Sequence, residues 1–189
     1  IDLTQSRVEG AKRLTEMTKM SGQVDFQVAN ALENPFPDQK FDVVIGQEAW
    51  CHIPDKKRLI AECVRVTKVG GYLAFTDILE CTGLRADHRE VLEQGLGYSE
   101  LGTLAGYREL LEASGCVVED IEDLGARWGV ILRQRLEMYR GLEAQTIDLL
   151  GIEAFRRWDR VYTLYVDQIE KGHLGGGRFL ARKSTQNAP

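Results

Sequence analysis

Segments with the apolar pattern of strands alternate along this chain with segments that have the apolar spacing of helices, and this alternation predicts an α/β architecture. Residues 24–28 alternate apolar and polar side chains, whereas residues 41–46 (FDVVIG) and 72–77 (YLAFTD) form nearly continuous apolar runs. The intervening segments 6–20 and 54–69 repeat apolar positions every three or four residues, as helices do. Strands that alternate with helices predict a largely parallel sheet, and the continuous run at 41–46 predicts a strand buried on both faces.

The later part of the chain adds a helix at 104–114, a strand at 117–124 and then a long helical stretch. From about residue 127 to 171 apolar residues recur only at helical spacing. The glycines at 175–177 indicate a turn that leads into a final strand at 179–183. We therefore predict a core formed by residues 1–124 and 175–189, with residues 125–174 as a helical cap over the sheet.

Composition and charge narrow the class of protein. The chain has 189 residues, of which 43% are hydrophobic and 28% charged, as expected for one soluble globular domain. A net charge of −5 argues against nucleic acid or an anionic membrane as a partner. The four cysteines are far apart, which favours neither a zinc site nor a disulfide framework. Without a signal peptide or a long apolar run, we expect a cytoplasmic protein and no metal.

Short polar residues follow three of the apolar segments. Asn30 with Ala31, and Gln47, each come directly after a predicted strand, and Asp2 lies at the end of another, of which Leu3 looks like the tail. Ligands of open parallel sheets bind outside the carboxyl ends of the strands. A carboxylate there can accept hydrogen bonds from a ribose diol, and an Asn side chain can pair with an adenine edge. Turn formation explains any one of these residues, but three on successive strand ends favour a nucleoside site.

The order of these motifs resembles class I S-adenosylmethionine-dependent methyltransferases. The resemblance extends from residue 2 to about residue 124 and rests on residues 1–4 (IDLT), 29–31 (ANA), 34–44 (NPFPDQKFDVV) and 61–73 (AECVRVTKVGGYL). Within that family the chain is similar to the sarcosine/dimethylglycine N-methyltransferases at residues 47–56 (QEAWCHIPDK), 102–108 (GTLAGYR) and 175–183 (GGGRFLARK). O-methyltransferases of sugars and polyketides share similar segments.

The resemblance implies a Rossmann-like sheet that binds S-adenosylmethionine and roles for several residues. Asp2 would hold the ribose hydroxyls and Leu3 would pack on the adenine. Asn30, where the family usually has Asp, and the Ala31 backbone would contact the adenine edge. Gln47 would lie near the methionine portion, and the methyl acceptor would be a small molecule.

Candidates for the chemistry of transfer lie after the strand at 41–46. Glu48 and His52 are the candidate general bases for a protonated amine, although His52 could instead cap the following helix. Aromatic faces hold methylated ammonium groups well, and Trp50 at the mouth of the site, Tyr98 and Trp128 are available. Core packing is the alternative role for each of these aromatic residues.

The family's first strand and glycine-rich loop would precede Asp2, so the resemblance implies a sheet that is incomplete at its N-terminal side. The sequence could be a fragment, a partner could supply the strand, or the fold could have adapted. Three functions remain open: an N-methyltransferase acting on an amine such as sarcosine or dimethylglycine, an O-methyltransferase of a sugar or secondary metabolite, and an inactive methyltransferase-like fragment that forms a homodimer.

Overall fold

The computed structural model describes residues 1–185, which form helices packed on a four-stranded sheet. The strands are β1 (Phe41–Gln47), β2 (Thr67–Glu80), β3 (Cys116–Asp123) and β4 (Leu174–Lys183). The helices are α1 (Gln5–Met17), α2 (Lys56–Val66), α3 (Ala86–Leu96), α4 (Leu104–Ala113), α5 (Gly125–Gly141), α6 (Glu143–Leu150) and α7 (Ile152–Glu170). In this range no helix has both the length and the apolar character needed to cross a membrane.

The sheet order is β1-β2-β4-β3, and only the β1–β2 pair is parallel. β4 runs antiparallel to both β2 and β3. β1, β2 and β3 therefore run in one direction, as the prediction of a largely parallel sheet requires, and β4 is the exception among the described strands. The chain leaves β3 through α5–α7 and returns between β2 and β3 in the opposite direction, so the last strand reverses two of the three pairings.

β1 is an edge strand with one exposed face, which corrects its prediction as a buried strand. Its inward-facing Val44 packs against the core, whereas Val43 is 49% and Ile45 79% exposed. β2 pairs with one edge of β1, and the described residues supply no strand for the other edge. The apolar run is real, but its outer face is uncovered in residues 1–185.

The N-terminal region contains less strand than predicted. Residues 24–28 contribute a single parallel bridge, between Asp2 and Val28. The Asp2 amide donates to the Gln27 carbonyl at 3.2 Å, and the Ala29 amide donates to the Asp2 carbonyl at 3.1 Å. These contacts place the segments after the two predicted strand ends beside each other.

β2 and β4 are both longer than predicted, because each includes glycines that the sequence pattern placed outside a strand. The predicted helical segment 54–69 extends past the end of α2 at Val66, and the Gly70–Gly71 pair that follows it lies within β2. Gly176 also lies within β4, although a turn was predicted there. The Trp128 ring packs on the face of this glycine. A Cβ on Gly176 would lie 2.3 Å from Trp128, so only glycine permits this approach.

Two groups of buried side chains form the core. One lies where α2 and α4 cover the sheet and includes Leu59, Phe75 and Phe179. The other lies among α3, α5, α7 and the ends of β2 and β4 and includes Leu136, Val166 and Ile169. The apolar stripe of α7 therefore packs inward, and α5 and α7 contact β4.

Candidate functional site

The strand end of β1 leads into a strained position. Gln47 is paired with Thr76 of β2, and the next amide, of Glu48, donates to the Thr76 carbonyl at 2.9 Å. Glu48 has a φ of 49°, in the left-handed region that a non-glycine residue seldom adopts. Such conformations persist only where surrounding contacts enforce them. The exposed Glu48 carboxylate thus projects from a backbone that β2 holds in place.

Trp50 lies in the core, which corrects its predicted position at the mouth of the site. It is 6% exposed, and its ring is 4.0 Å from that of Phe75, centroid to centroid. The ring covers Gly46, where a Cβ would lie 2.5 Å from Trp50 Nε1. Trp50 anchors the segment after β1 and offers no open face to a substrate.

A buried carboxylate holds the same segment, and the sequence analysis missed it. Asp77 is fully buried; its Oδ1 accepts from the Cys51 amide at 2.8 Å and its Oδ2 from the Tyr107 hydroxyl at 2.7 Å. Burial raises the pKa of Asp77, and the hydrogen bonds from Tyr107 and Cys51 oppose that shift. The available signal was an acidic residue at the end of the apolar run 72–77.

Lys56, at the start of α2, reaches back to the same segment. Its buried Nζ donates to the carbonyl of Trp50 at 2.8 Å and also to that of Ile53. Burial lowers the pKa of Lys56, and the negative charge of Asp77 opposes that shift. The ammonium thus gives the Ile53 carbonyl a donor and adds a second donor to the Trp50 carbonyl, which also accepts from the Ile53 amide at 2.8 Å.

His52 is exposed and connects the segment after β1 to the end of α3. Its Nδ1 lies 2.8 Å from the Gly97 carbonyl, and its ring centroid lies 5.8 Å from that of Tyr98. The alternative that His52 caps the next helix is wrong, because Asp55 caps α2 by accepting from the Arg58 amide at 2.9 Å.

Three tyrosines, Tyr98, Tyr162 and Tyr165, have neighbouring rings, and two of them are close enough to Glu48 to feel its charge; we call the three the tyrosine group. The Tyr98 and Tyr162 rings each lie 5.9 Å from the Tyr165 ring. Burial raises the pKa of both Tyr162 and Tyr165, and the nearby Glu48 carboxylate adds to both shifts. Helix α7 thus brings phenol rings beside an exposed carboxylate.

A cleft of about 540 Å³ opens at the end of β1 and contains two of the predicted site residues beside Trp128. Gln47 and Glu48 line it on one side and Trp128 on the other, with Thr76 between them on β2. The Thr76 hydroxyl is buried without a hydrogen-bond partner among the described residues. The cleft therefore combines the Glu48 carboxylate, a free hydroxyl and an indole face. Arg178 and Asp120, which lie 3.7 Å apart, line it as well.

The remaining predicted residues lie on the N-terminal side of the sheet. Asp2 Oδ1 accepts from the Thr4 amide at 2.7 Å, and Leu3 is 71% exposed. The exposed Asn30 accepts from the Leu32 amide at 3.0 Å through Oδ1. Ala31 lines a groove of about 430 Å³, which Val43 of β1 borders as well.

Comparison with known proteins adds sequence relatives. Residues 1–75 match the family model described as a methyltransferase domain. The chain is 32% identical over 158 residues to 27-O-demethylrifamycin SV methyltransferase of Amycolatopsis mediterranei, with 82% of this chain and 58% of the relative covered. It is 28% identical over 148 residues to the glycine/sarcosine/dimethylglycine N-methyltransferase of Actinopolyspora halophila, with 78% of this chain and 25% of the relative covered. The chain thus spans less than two thirds of either relative.

A solved structure shares the fold. Phosphoethanolamine N-methyltransferase 2 of Haemonchus contortus, in complex with phosphomonomethylethanolamine and S-adenosylhomocysteine, superposes with a TM-score of 0.88 at 22% identity. The match covers 97% of this chain and 43% of that one. The order of strands and the helical insertion before the last strand are therefore those of a known architecture.

Proposed function

We propose that this chain is a class I S-adenosylmethionine-dependent methyltransferase that methylates a small-molecule amine such as sarcosine or dimethylglycine. The match of residues 1–75 to a methyltransferase domain and the similarity to 27-O-demethylrifamycin SV methyltransferase support the family. S-adenosylmethionine supplies an electrophilic methyl group when bound. The protein's task is then to align the acceptor with that methyl group and to exclude water.

The residues on the N-terminal side suit the adenosine half of the cofactor. Asp2 keeps carboxylate lone pairs beyond the one used by the Thr4 amide, and the Asp2 side chain is 39% exposed. Leu3 is exposed and apolar, as a residue packing on a purine would be before the ligand binds. We infer that Asp2 accepts from the ribose hydroxyls, that Leu3, Asn30 and Ala31 surround the adenine, and that Gln47 lies toward the methionine portion.

The position of Glu48 is the observation that supports an amine as the methyl acceptor. Its carboxylate borders the cleft that Trp128 also lines, and its charge acts on Tyr162 and Tyr165 of the tyrosine group. The positive charge of Arg178 in the same cleft is paired with Asp120 and Glu122. A negative charge among aromatic faces attracts a cationic ammonium group. The same carboxylate can take the proton that an ammonium must lose before its nitrogen lone pair attacks a methyl carbon. His52 is the second candidate base, held by the Gly97 carbonyl with its ring against Tyr98.

An O-methyltransferase is the second candidate, and the Amycolatopsis relative supports it. That protein is named as the methyltransferase of 27-O-demethylrifamycin SV, and it shares 32% identity with this chain. A hydroxyl acceptor also needs a base, so Glu48 or His52 would retain a role. The third possibility, an inactive fragment that forms a homodimer, stays a prediction.

Labelled S-adenosylmethionine and a panel of acceptors test the proposal in the full-length protein. We expect sarcosine or dimethylglycine to be methylated, and Glu48→Gln to lower kcat/KM for the amine by about 100-fold, the scale of one general base. The matched control is Glu109→Gln, which neutralises an exposed carboxylate on α4. Glu48→Gln should leave the cofactor Kd within about twofold, because Glu48 is assigned to the acceptor. Turnover restricted to phenols or sugar hydroxyls would favour the O-methyltransferase, and cofactor binding without any turnover would favour the inactive form.

A further inference from the structure

The loop between β1 and α2, residues 48–55, is fixed from several directions although its polar side chains are exposed. The Glu48 amide bonds to β2, and the Cys51 carbonyl accepts from the Ser99 amide at 2.9 Å. The Trp50 ring fills the space above Gly46. We refer to these residues as the β1–α2 loop.

Asp77 provides the charged anchor of this loop. Its side chain points away from the cleft into the core, where one oxygen accepts from the Cys51 amide and the other from Tyr107 of α4. A buried carboxylate is costly, and well-packed apolar residues often replace buried charges without loss of stability. The cost is offset here by a hydrogen bond to a loop amide that has no regular secondary-structure partner.

Lys56 is a second charged anchor of the β1–α2 loop, and it binds carbonyl groups where Asp77 binds an amide. The Lys56 ammonium holds the carbonyls of Trp50 and Ile53, while Asp77 holds the amide of Cys51 between them. Opposite charges thus fix the donor and the acceptor groups of one short loop. The residues on either side of this anchor, Glu48 and His52, are the candidate bases.

We propose that Asp77 is a positioning residue for methyl transfer, which fixes the β1–α2 loop so that Glu48 and His52 face the acceptor. The inference rests on the proposed function of these two residues. Asp77 touches neither of their side chains and acts through the Cys51 backbone. A misplacement of about 1 Å can cost about 100-fold in rate, so a loosened loop should affect turnover more than binding.

Three variants of the full-length protein test this role. Asp77→Asn keeps the shape of the side chain, but it weakens the bond from Cys51 and removes the Asp77 charge that acts on Lys56, leaving that of Glu100. We expect it to lower kcat about tenfold, and Asp77→Ala about 100-fold, with the cofactor Kd changed less than about twofold. Tyr107→Phe removes the other bond to Asp77 and should change kcat less than about threefold, even where it lowers Tm.

Amide exchange gives a readout independent of turnover. We expect the Cys51 amide to exchange at least about tenfold faster in Asp77→Asn while amides of β2 keep their protection, because only a local contact is weakened. If Asp77→Ala does not fold, Asp77→Asn decides. An unchanged kcat and Cys51 exchange in Asp77→Asn, or losses in Asp77→Asn and Tyr107→Phe that both follow Tm, would overturn the inference. A wild-type protein that methylates nothing would refute the proposed function, whereas Cys51 exchange would still report whether Asp77 holds the loop.

Discussion

At the scale of the residue, Asp2 combines a structural contact with spare capacity for a ligand. One carboxylate oxygen accepts from the Thr4 amide, and the other lies 3.9 Å from the exposed guanidinium of Arg7. The backbone of the same residue bridges to Val28 and so fixes its position. A carboxylate offers about four lone-pair directions, so two ribose hydroxyls can bond to it without loss of the turn.

Asp2→Ala should weaken binding of S-adenosylmethionine by the full-length protein. Two charge-assisted hydrogen bonds are removed, each worth at most about 1.5–3 kcal/mol. Titration calorimetry measures the change, and Asp148→Ala, an exposed carboxylate on α6, is the control. Equal affinity of Asp2→Ala and the wild-type protein would exclude Asp2 from the cofactor site.

At the scale of the element, side-chain periodicity predicted the position of helices and strands that bury the side chains of one face. The stripe of α7 and the apolar run of β1 lie within the observed elements, and the predicted helix at 104–114 corresponds to α4. Glycines carry no such signal. Gly176 was predicted in a turn, yet it lies in β4 with the Trp128 ring over it, and Trp128 is distant in sequence.

The same limit applies to the candidate site. Strand-end positions indicated Gln47 and Glu48 because the chain order alone places them after an apolar run. The burial of Trp50 and the role of Asp77 depend on which faces of β1 and β2 the helices cover. A sequence pattern shows that side chains alternate between the two faces of a strand, but it does not show which face the helices cover.

Gly46→Ala should disturb the β1–α2 loop. The new Cβ would lie 2.5 Å from Trp50 Nε1 and would push the ring from its place against Phe75. Overpacking of this kind typically costs about 1–3 kcal/mol, which urea unfolding can measure. Gly22→Ala is the control, because a Cβ there meets nothing within 4 Å. Equal stability of the two variants would show that Trp50 can shift without cost.

At the scale of the whole molecule, a groove lies between the N-terminal segment of the described residues and the edge of the sheet. The Asp2–Val28 bridge belongs to one side, and the unpaired edge of β1 belongs to the other. The groove of about 430 Å³ between them is bordered by Ile1 and Gln27 and by Val43. The candidate adenosine contacts and the candidate bases are therefore on different segments of the chain.

The position of β4 has a consequence for synthesis on the ribosome. β3 joins the sheet only through β4, which is also the antiparallel neighbour of β2. While α5, α6 and α7 are being translated, β2 has an unpaired edge and β3 has no partner strand among the described residues. Exposed edges of this kind expose a nascent chain to aggregation. The sheet can therefore close only after Lys183 has emerged from the ribosome, and the helices translated before it must await the strand against which α5 and α7 pack.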